Sequence, residues 1–249
     1  MKKVILLLKF LVFLQGMTFG ATPIFGKEYK IGFTQHVSQL VAAKVLKEIY
    51  QKAGLNSSIN SYPGARLTSL IQTESLDGEV ARIAEYYNQN KMLKKIETPI
   101  YYFDAWVYVH QNEKSRKRSL VEFKDSKIGI LRGVLYGEIL TNGFKHLVRT
   151  DSSRQLFDLL SLGRLDAVID TDFMRLAYMS KFNEKKIRPE FFIKRYYFYH
   201  GLRNNLINEH EKISKIMFEL SKSGELQKII QQAEKEVLSL PTEHLFIVK

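Results

Sequence analysis

The sequence contains no cysteine among its 249 residues. Disulfide scaffolds, thiolate nucleophiles, cysteine-ligated metals and lipidation of an N-terminal cysteine are thereby excluded, and core packing alone must hold the fold. No internal repeat or low-complexity tract stands out. The histidines His36, His110, His146, His200, His210 and His244 are scattered without the spacing of a metal site. Neither a glycine-rich nucleotide loop nor a nucleophile elbow is present, so no cofactor is expected. Acidic side chains are in deficit: 26 Asp and Glu face 38 Lys and Arg, leaving a net charge of +12. That balance suits an anionic partner, whether nucleic acid, membrane surface or small ligand.

After residue 20 no apolar run is long enough to span a bilayer. Before it, Met1-Lys2-Lys3 precedes an apolar stretch, Val4 to Phe19, interrupted by Lys9 and Gln15. A basic head, an apolar stretch and then small residues is the layout of a secretory signal peptide, with the cut expected after Gly20; the rival reading is a retained membrane anchor, for which Lys9 leaves the run short. Export to the periplasm makes nucleic acid the weakest of the anionic partners. Losing Lys2, Lys3 and Lys9 lowers the charge from +12 to +9. About 229 residues remain, enough for two small lobes with a core each.

From residue 28 the apolar pattern alternates between strand and helix periods. Strands are expected over 29–33, 58–62, 79–83 and 105–110, with helices over 37–53 and 67–73. The charged stretch 111–118 reads as an exposed connection. A second alternation follows, with strands over 127–131, 167–170 and 195–199. Helices are expected over 135–146, 153–162, 173–179, 208–220 and 225–237. Strand-helix-strand order implies mainly parallel sheets covered by helices.

Three stretches resemble the periplasmic solute-binding proteins of amino-acid ABC transporters. Lys127-Ile128-Gly129-Ile130-Leu131-Arg132-Gly133 is similar to the strand that opens their second lobe. Gln155-Leu156-Phe157 with Leu160 to Ile169 is similar to the helix and "glycine-arginine-valine-aspartate-alanine" strand that follow. Leu220 to Leu226 resembles their C-terminal helix-turn-helix. Pro63-Gly64-Ala65-Arg66 and Leu76 to Ile83 match the "proline-x-x-arginine … aspartate-glycine-glutamate-x-x-arginine" signature of a divergent branch. The resemblance implies an α/β, two-lobed type II periplasmic-binding fold, each lobe a mainly parallel sheet flanked by helices. Lobe 1 would comprise 27–109 and 198–249, and lobe 2 would comprise 110–197. The residues with which that family grips an amino acid are mostly replaced: Thr34-Gln35-His36-Val37 stands for an aromatic loop, Val134-Leu135 for a hydroxyl residue, and Thr171 for an aspartate.

In open α/β sheets ligands sit beyond the carboxyl ends of strands. That rule nominates Thr34, Gln35, Tyr62, Arg66 and the Asp77–Arg82 region with Glu79. Arg66 and Arg82 suit a two-pronged grip on a carboxylate or phosphate. Their structural alternatives are a helix brace for Arg66 and pairing of Arg82 with Asp77 or Glu79. Gly133 precedes a helix and frees backbone N–H groups for an anion. Ser152 reads both as helix cap and as cleft residue, and Asp170 as partner for an amine or as helix cap. Tyr102 and Trp106, near the first crossing between lobes, are candidates for stacking on a planar group. The expected function is non-catalytic capture of a small polar, anionic or amino-acid-like ligand by a monomer, for an inner-membrane transporter or receptor. A sensory protein acting in trans, and a lyase or dehydratase using Glu79 or Asp170, are the alternatives on the same scaffold.

Overall fold

The computed structural model describes residues 27–34, 36–114, 116–173 and 184–240. The expected signal peptide, Gln35 and most of the helix expected over 173–179 lie outside the described residues. Strand β1 (Glu28–Thr34) buries Tyr29, Ile31 and Phe33 and leads to α1 (Val37–Lys52). The helix turns Val41, Val45, Leu46 and Ile49, all fully buried, onto the sheet. Then come β2 (Asn56–Tyr62), α2 (Gly64–Gln72), β3 (Gly78–Ile83), α3 (Ala84–Gln89), β4 (Leu93–Lys95) and β5 (Tyr101–His110). The second alternation runs β6 (Lys127–Leu131), α4 (Leu135–Leu140), β7 (His146–Thr150), α5 (Ser153–Ser161) and β8 (Ala167–Thr171). Strand β9 (Ile187–Arg203) returns to the start, and helices α6 (Ile207–Ser223) and α7 (Glu225–Leu238) close the described chain.

The nine strands of the described residues form one sheet in the order β2-β1-β3-β9-β5-β8-β6-β7, with β4 also on β9. At one end β1 lies parallel to β2 and β3; at the other β6 lies parallel to β7 and β8. Antiparallel β5 and β9 join these two parallel sections. Strand β9 has 17 residues, so at ~3.3 Å per residue it spans about 55 Å. It pairs with β5 from Ile187 to Phe198 and with β3 from Phe198 to Leu202. Two register shifts interrupt the β5–β9 ladder, at Ala105/Trp106 and Val107/Tyr108.

Several local features differ from the sequence reading, among them the earlier starts of β5 at Tyr101 and of α2 at Gly64. The helix expected over 135–146 ends at Leu140, because Gly143 adopts a φ of 81° and turns the chain into edge strand β7. Strand β9 extends well beyond 195–199 at both ends. Helix α3 and strand β4 had no distinct periodic signal.

Where β3 meets β9 the backbones approach closely. A Cβ on Gly78 would lie 2.4 Å from the Gly201 carbonyl oxygen. Behind this contact His200 is fully buried. Its Nδ1 lies 2.7 Å from the Glu79 carbonyl, which only accepts, so Nδ1 carries the proton. Nε2 then accepts from the Tyr50 hydroxyl at 3.0 Å, tying α1 to β9. Burial holds the imidazole pKa down at about 4.

Two outcomes follow. Gly78→Ala should cost about 2 kcal/mol or more in urea unfolding, as overpacking against rigid backbone does, whereas Gly64→Ala, whose Cβ meets nothing within 4 Å, should be neutral or stabilising. Below its ordinary value near 6.5 the unfolded His200 takes a proton that the folded one refuses until about pH 4. Stability present above pH 6.5 is therefore lost on acidification toward pH 4, by about 3 kcal/mol at ~1.4 kcal/mol per pH unit. Thermal melts of His200→Gln should show a flatter pH slope across that window.

Candidate functional site

The carboxyl ends of β1 and β3 face those of β6 and the start of α5 across one opening. Its outer part, about 420 Å³, is lined by Thr34, His36 and Pro63-Gly64-Ala65 on one side and by Arg132, Gly133, Asp151 and Ser152 on the other. An inner cavity of about 50 Å³ shares Thr34, His36, Gly133 and Val134 with it and is further lined by Ser38, Gln39, Arg82, Tyr86 and Tyr136. Both parallel sections thus supply walls to the same space.

Arg82 is the strongest cation in the inner cavity. Its Nε pairs with the buried Glu79, whose other oxygen accepts from the Tyr86 hydroxyl at 2.6 Å. The guanidinium lies over the Tyr86 ring, 4.7 Å from its centroid. Burial pulls the Arg82 pKa down, but the Glu79 charge and hydrogen bond outweigh it and leave the pKa raised. Burial, and then the Glu79 charge, also push the Tyr86 hydroxyl up, so it stays protonated. Glu79 is therefore held as the orienting partner of Arg82. With Nε committed, the Nη nitrogens make no hydrogen bond to the described residues.

His36 caps α1. Its Nδ1 accepts from the Ser38 backbone N–H at 3.3 Å and lies 2.7 Å from the Ser38 hydroxyl. Accepting at Nδ1 places the proton of the neutral ring on Nε2, 3.6 Å from Asp170 Oδ1. Asp170 is fully buried at the end of β8, where Oδ1 accepts from the Thr171 N–H at 2.7 Å. Its Oδ2 makes no hydrogen bond within 3.5 Å among the described residues, and the Tyr136 hydroxyl interacts with the same carboxylate. Burial and the Asp170 charge keep the neighbouring Tyr136 hydroxyl protonated.

Of the residues nominated from the sequence, Thr34, Arg82, Gly133 and Ser152 line the opening. Gly133 has a φ of 70° and an open Cβ position, so its backbone faces the space. Ser152 also caps α5, its Oγ accepting from the Gln155 N–H at 3.3 Å. Glu79 and Asp170 lie one layer behind. Arg66 is exposed on α2, beside the rim residues Pro63 to Ala65. Tyr62 packs with Leu67 and Leu76 instead of lining the opening. Asp77 precedes β3 and so falls at the opposite end of the sheet, where it accepts from the Lys30 N–H at 2.8 Å and pairs with Lys27 at 3.2 Å. Tyr102 and Trp106 belong to the β5–β9 ribbon. Tyr102 lies under Arg195, which grips Asp104 through two bonds of 2.7 and 2.9 Å, and Trp106 packs edge-on to Phe192. His36, Gln39, Tyr86 and Tyr136 are site residues that the sequence did not nominate. Among the described residues no group of three or more His, Asp or Glu side chains is placed to hold a metal.

Removing Arg82 would leave Glu79 charged and buried without its partner. Arg82→Ala should destabilise the protein by about 3–5 kcal/mol in denaturant unfolding, and the double variant Glu79→Gln/Arg82→Gln should recover part of that loss.

No family model and no curated protein matches the chain. Solved structures do. The arginine-, lysine-, histidine-binding protein ArtJ of Geobacillus stearothermophilus superposes with a TM-score of 0.67 at 15% identity, covering 83% of this chain and 94% of that one. The GluR0 ligand-binding core of Nostoc punctiforme, in complex with L-glutamate, gives 0.68 at 14% identity over 82% and 98% of the two chains. A histidine kinase sensor domain with similarity to periplasmic binding proteins gives 0.69 at 12% identity over 83% and 95%. Together with the sheet order, these likenesses establish that the chain has the two-lobed type II periplasmic-binding fold.

Proposed function

We propose that this chain is an exported, monomeric, non-catalytic solute-binding protein that captures a small anionic or amino-acid-like ligand for an inner-membrane ABC transporter. Lobe 1 (27–109 and 198–249) and lobe 2 (110–197) meet along β5 and β9, and the ligand enters between them. The observation that carries this reading is Arg82, fixed through Nε and aromatic stacking, with its Nη groups unclaimed in a cavity walled by both lobes. Its planar fork suits a carboxylate or phosphate. Thr34 and the Gly133 backbone flank that group, Ser152 and Arg66 stand at the outer rim, and Asp170 behind His36 answers an amine. Contacts from both walls stabilise the closed arrangement over an open one. Removal of a signal peptide near Gly20 delivers the chain to the periplasm.

The likeness to a histidine kinase sensor domain favours a second use of the same cleft, as a sensory protein acting in trans. A thermal-shift screen with amino acids, organic acids and phosphorylated compounds should find a ligand that raises the melting temperature without being converted. Arg82→Gln should weaken it about 10- to 100-fold, the worth of a charge-assisted hydrogen bond. Turnover of any hit would overturn the non-catalytic reading, and an unchanged affinity in Arg82→Gln would remove the anion site.

A further inference from the structure

We propose that Gln39 is a specificity-determining residue of this cavity: its fixed carboxamide oxygen selects small anions that also carry an N–H or O–H donor. The inference rests on the cleft being a ligand site and adds a second requirement to the anionic one. Gln39 lies in the first turn of α1 and is only 4% exposed. Its Nε2 donates to the Ala81 carbonyl at 2.7 Å. A carbonyl only accepts, so the amide cannot be turned around without setting two acceptors against each other. Oε1 is thereby fixed on the other side of the amide, where it is buried and has no partner among the described residues.

A buried acceptor without a donor is disfavoured, so a molecule that brings the donor gains by it. The inner cavity, about 50 Å³, takes a single functional group, while the adjoining 420 Å³ holds the remainder of a small molecule. The other polar groups there select less. The Thr34 hydroxyl rotates to donate or accept, His36 Nε2 and Arg82 donate, and the Ser38 and Tyr86 hydroxyls already give their protons to His36 Nδ1 and the Glu79 carboxylate. Gln39 Oε1 is the amide acceptor of the lining, buried and without a hydrogen bond among the described residues. Because Arg82 directly follows Ala81, the peptide that orients Gln39 adjoins the residue that supplies the anion contact. Inorganic phosphate in its dianionic form and simple carboxylates bring few or no donors to Oε1. A site built around such a hydrogen bond rejects analogues that lack the donor by large factors.

The test uses the full mature chain and paired probes: each of the twenty L-amino acids against the acid with hydrogen in place of its α-amino group, plus inorganic phosphate. Calorimetry gives the ratio of dissociation constants within each pair. Gln39→Met and Gln39→Glu both lose the bond to Ala81, but only Gln39→Glu keeps an acceptor. For the pairs that bind, the wild type should favour the amino member at least 10-fold. Gln39→Met should cut that preference about 10-fold or more, and Gln39→Glu should keep or increase it. Equal affinities within pairs, binding of phosphate or the deaminated acids alone, or the same loss in both variants would overturn the role of Gln39 and leave the anion site standing. Failure of every probe to bind would overturn both.

Discussion

The backbone ladder of β9 holds the molecule together. Its Ile187–Phe198 stretch pairs with β5 and its Phe198–Leu202 stretch with β3, so its ladder carries hydrogen bonds from one parallel section into the other. Parallel strands need helical crossovers and are normally buried on both faces. Each section meets that need with its own helices, and the long antiparallel pair then welds two ordinary α/β layers into one sheet. The opening between them lies where it does because β1, β3 and β6 all end on the same side of this weld.

The charge arrangement follows the same geometry. Glu79 sits in β3, against β9, and its backbone carbonyl holds His200 while its carboxylate holds Arg82 and Tyr86. One residue therefore ties the buried Tyr50–His200 contact to the cavity. The overall positive charge adds a long-range attraction for anions, but the discriminating groups lie inside, where water screens them least.

Much of the fold was legible in the residues. Strand β6 begins and ends where its apolar run does, and α1, α5, α6 and α7 follow their 3.6-residue stripes closely. Strand β9 was read only in part, because its first half interrupts the apolar alternation of Ile187, Phe191 and Ile193 with Pro189 and sets it among the charged residues Arg188, Glu190 and Lys194. The rule that ligands lie past the carboxyl ends of strands found Thr34, Arg82 and Gly133. Asp77 precedes its strand, so the same rule places it away from the opening. Gln39 was hidden because it occupies a core-facing position of α1, where a polar side chain leaves no mark on the apolar stripe around it. His36 read as one of several scattered histidines, since its capping role depends on the ring orientation.

The Glu79–Arg82–Tyr86 cluster has a consequence for binding entropy. A free arginine side chain samples many rotamers, and freezing it on a ligand forfeits about 2 kcal/mol. Here that ordering takes place during folding, when Arg82 is laid along Tyr86 and drawn to Glu79. A ligand arriving in the cleft meets a rigid fork, so more of each new contact is expressed as affinity and less is lost to immobilisation.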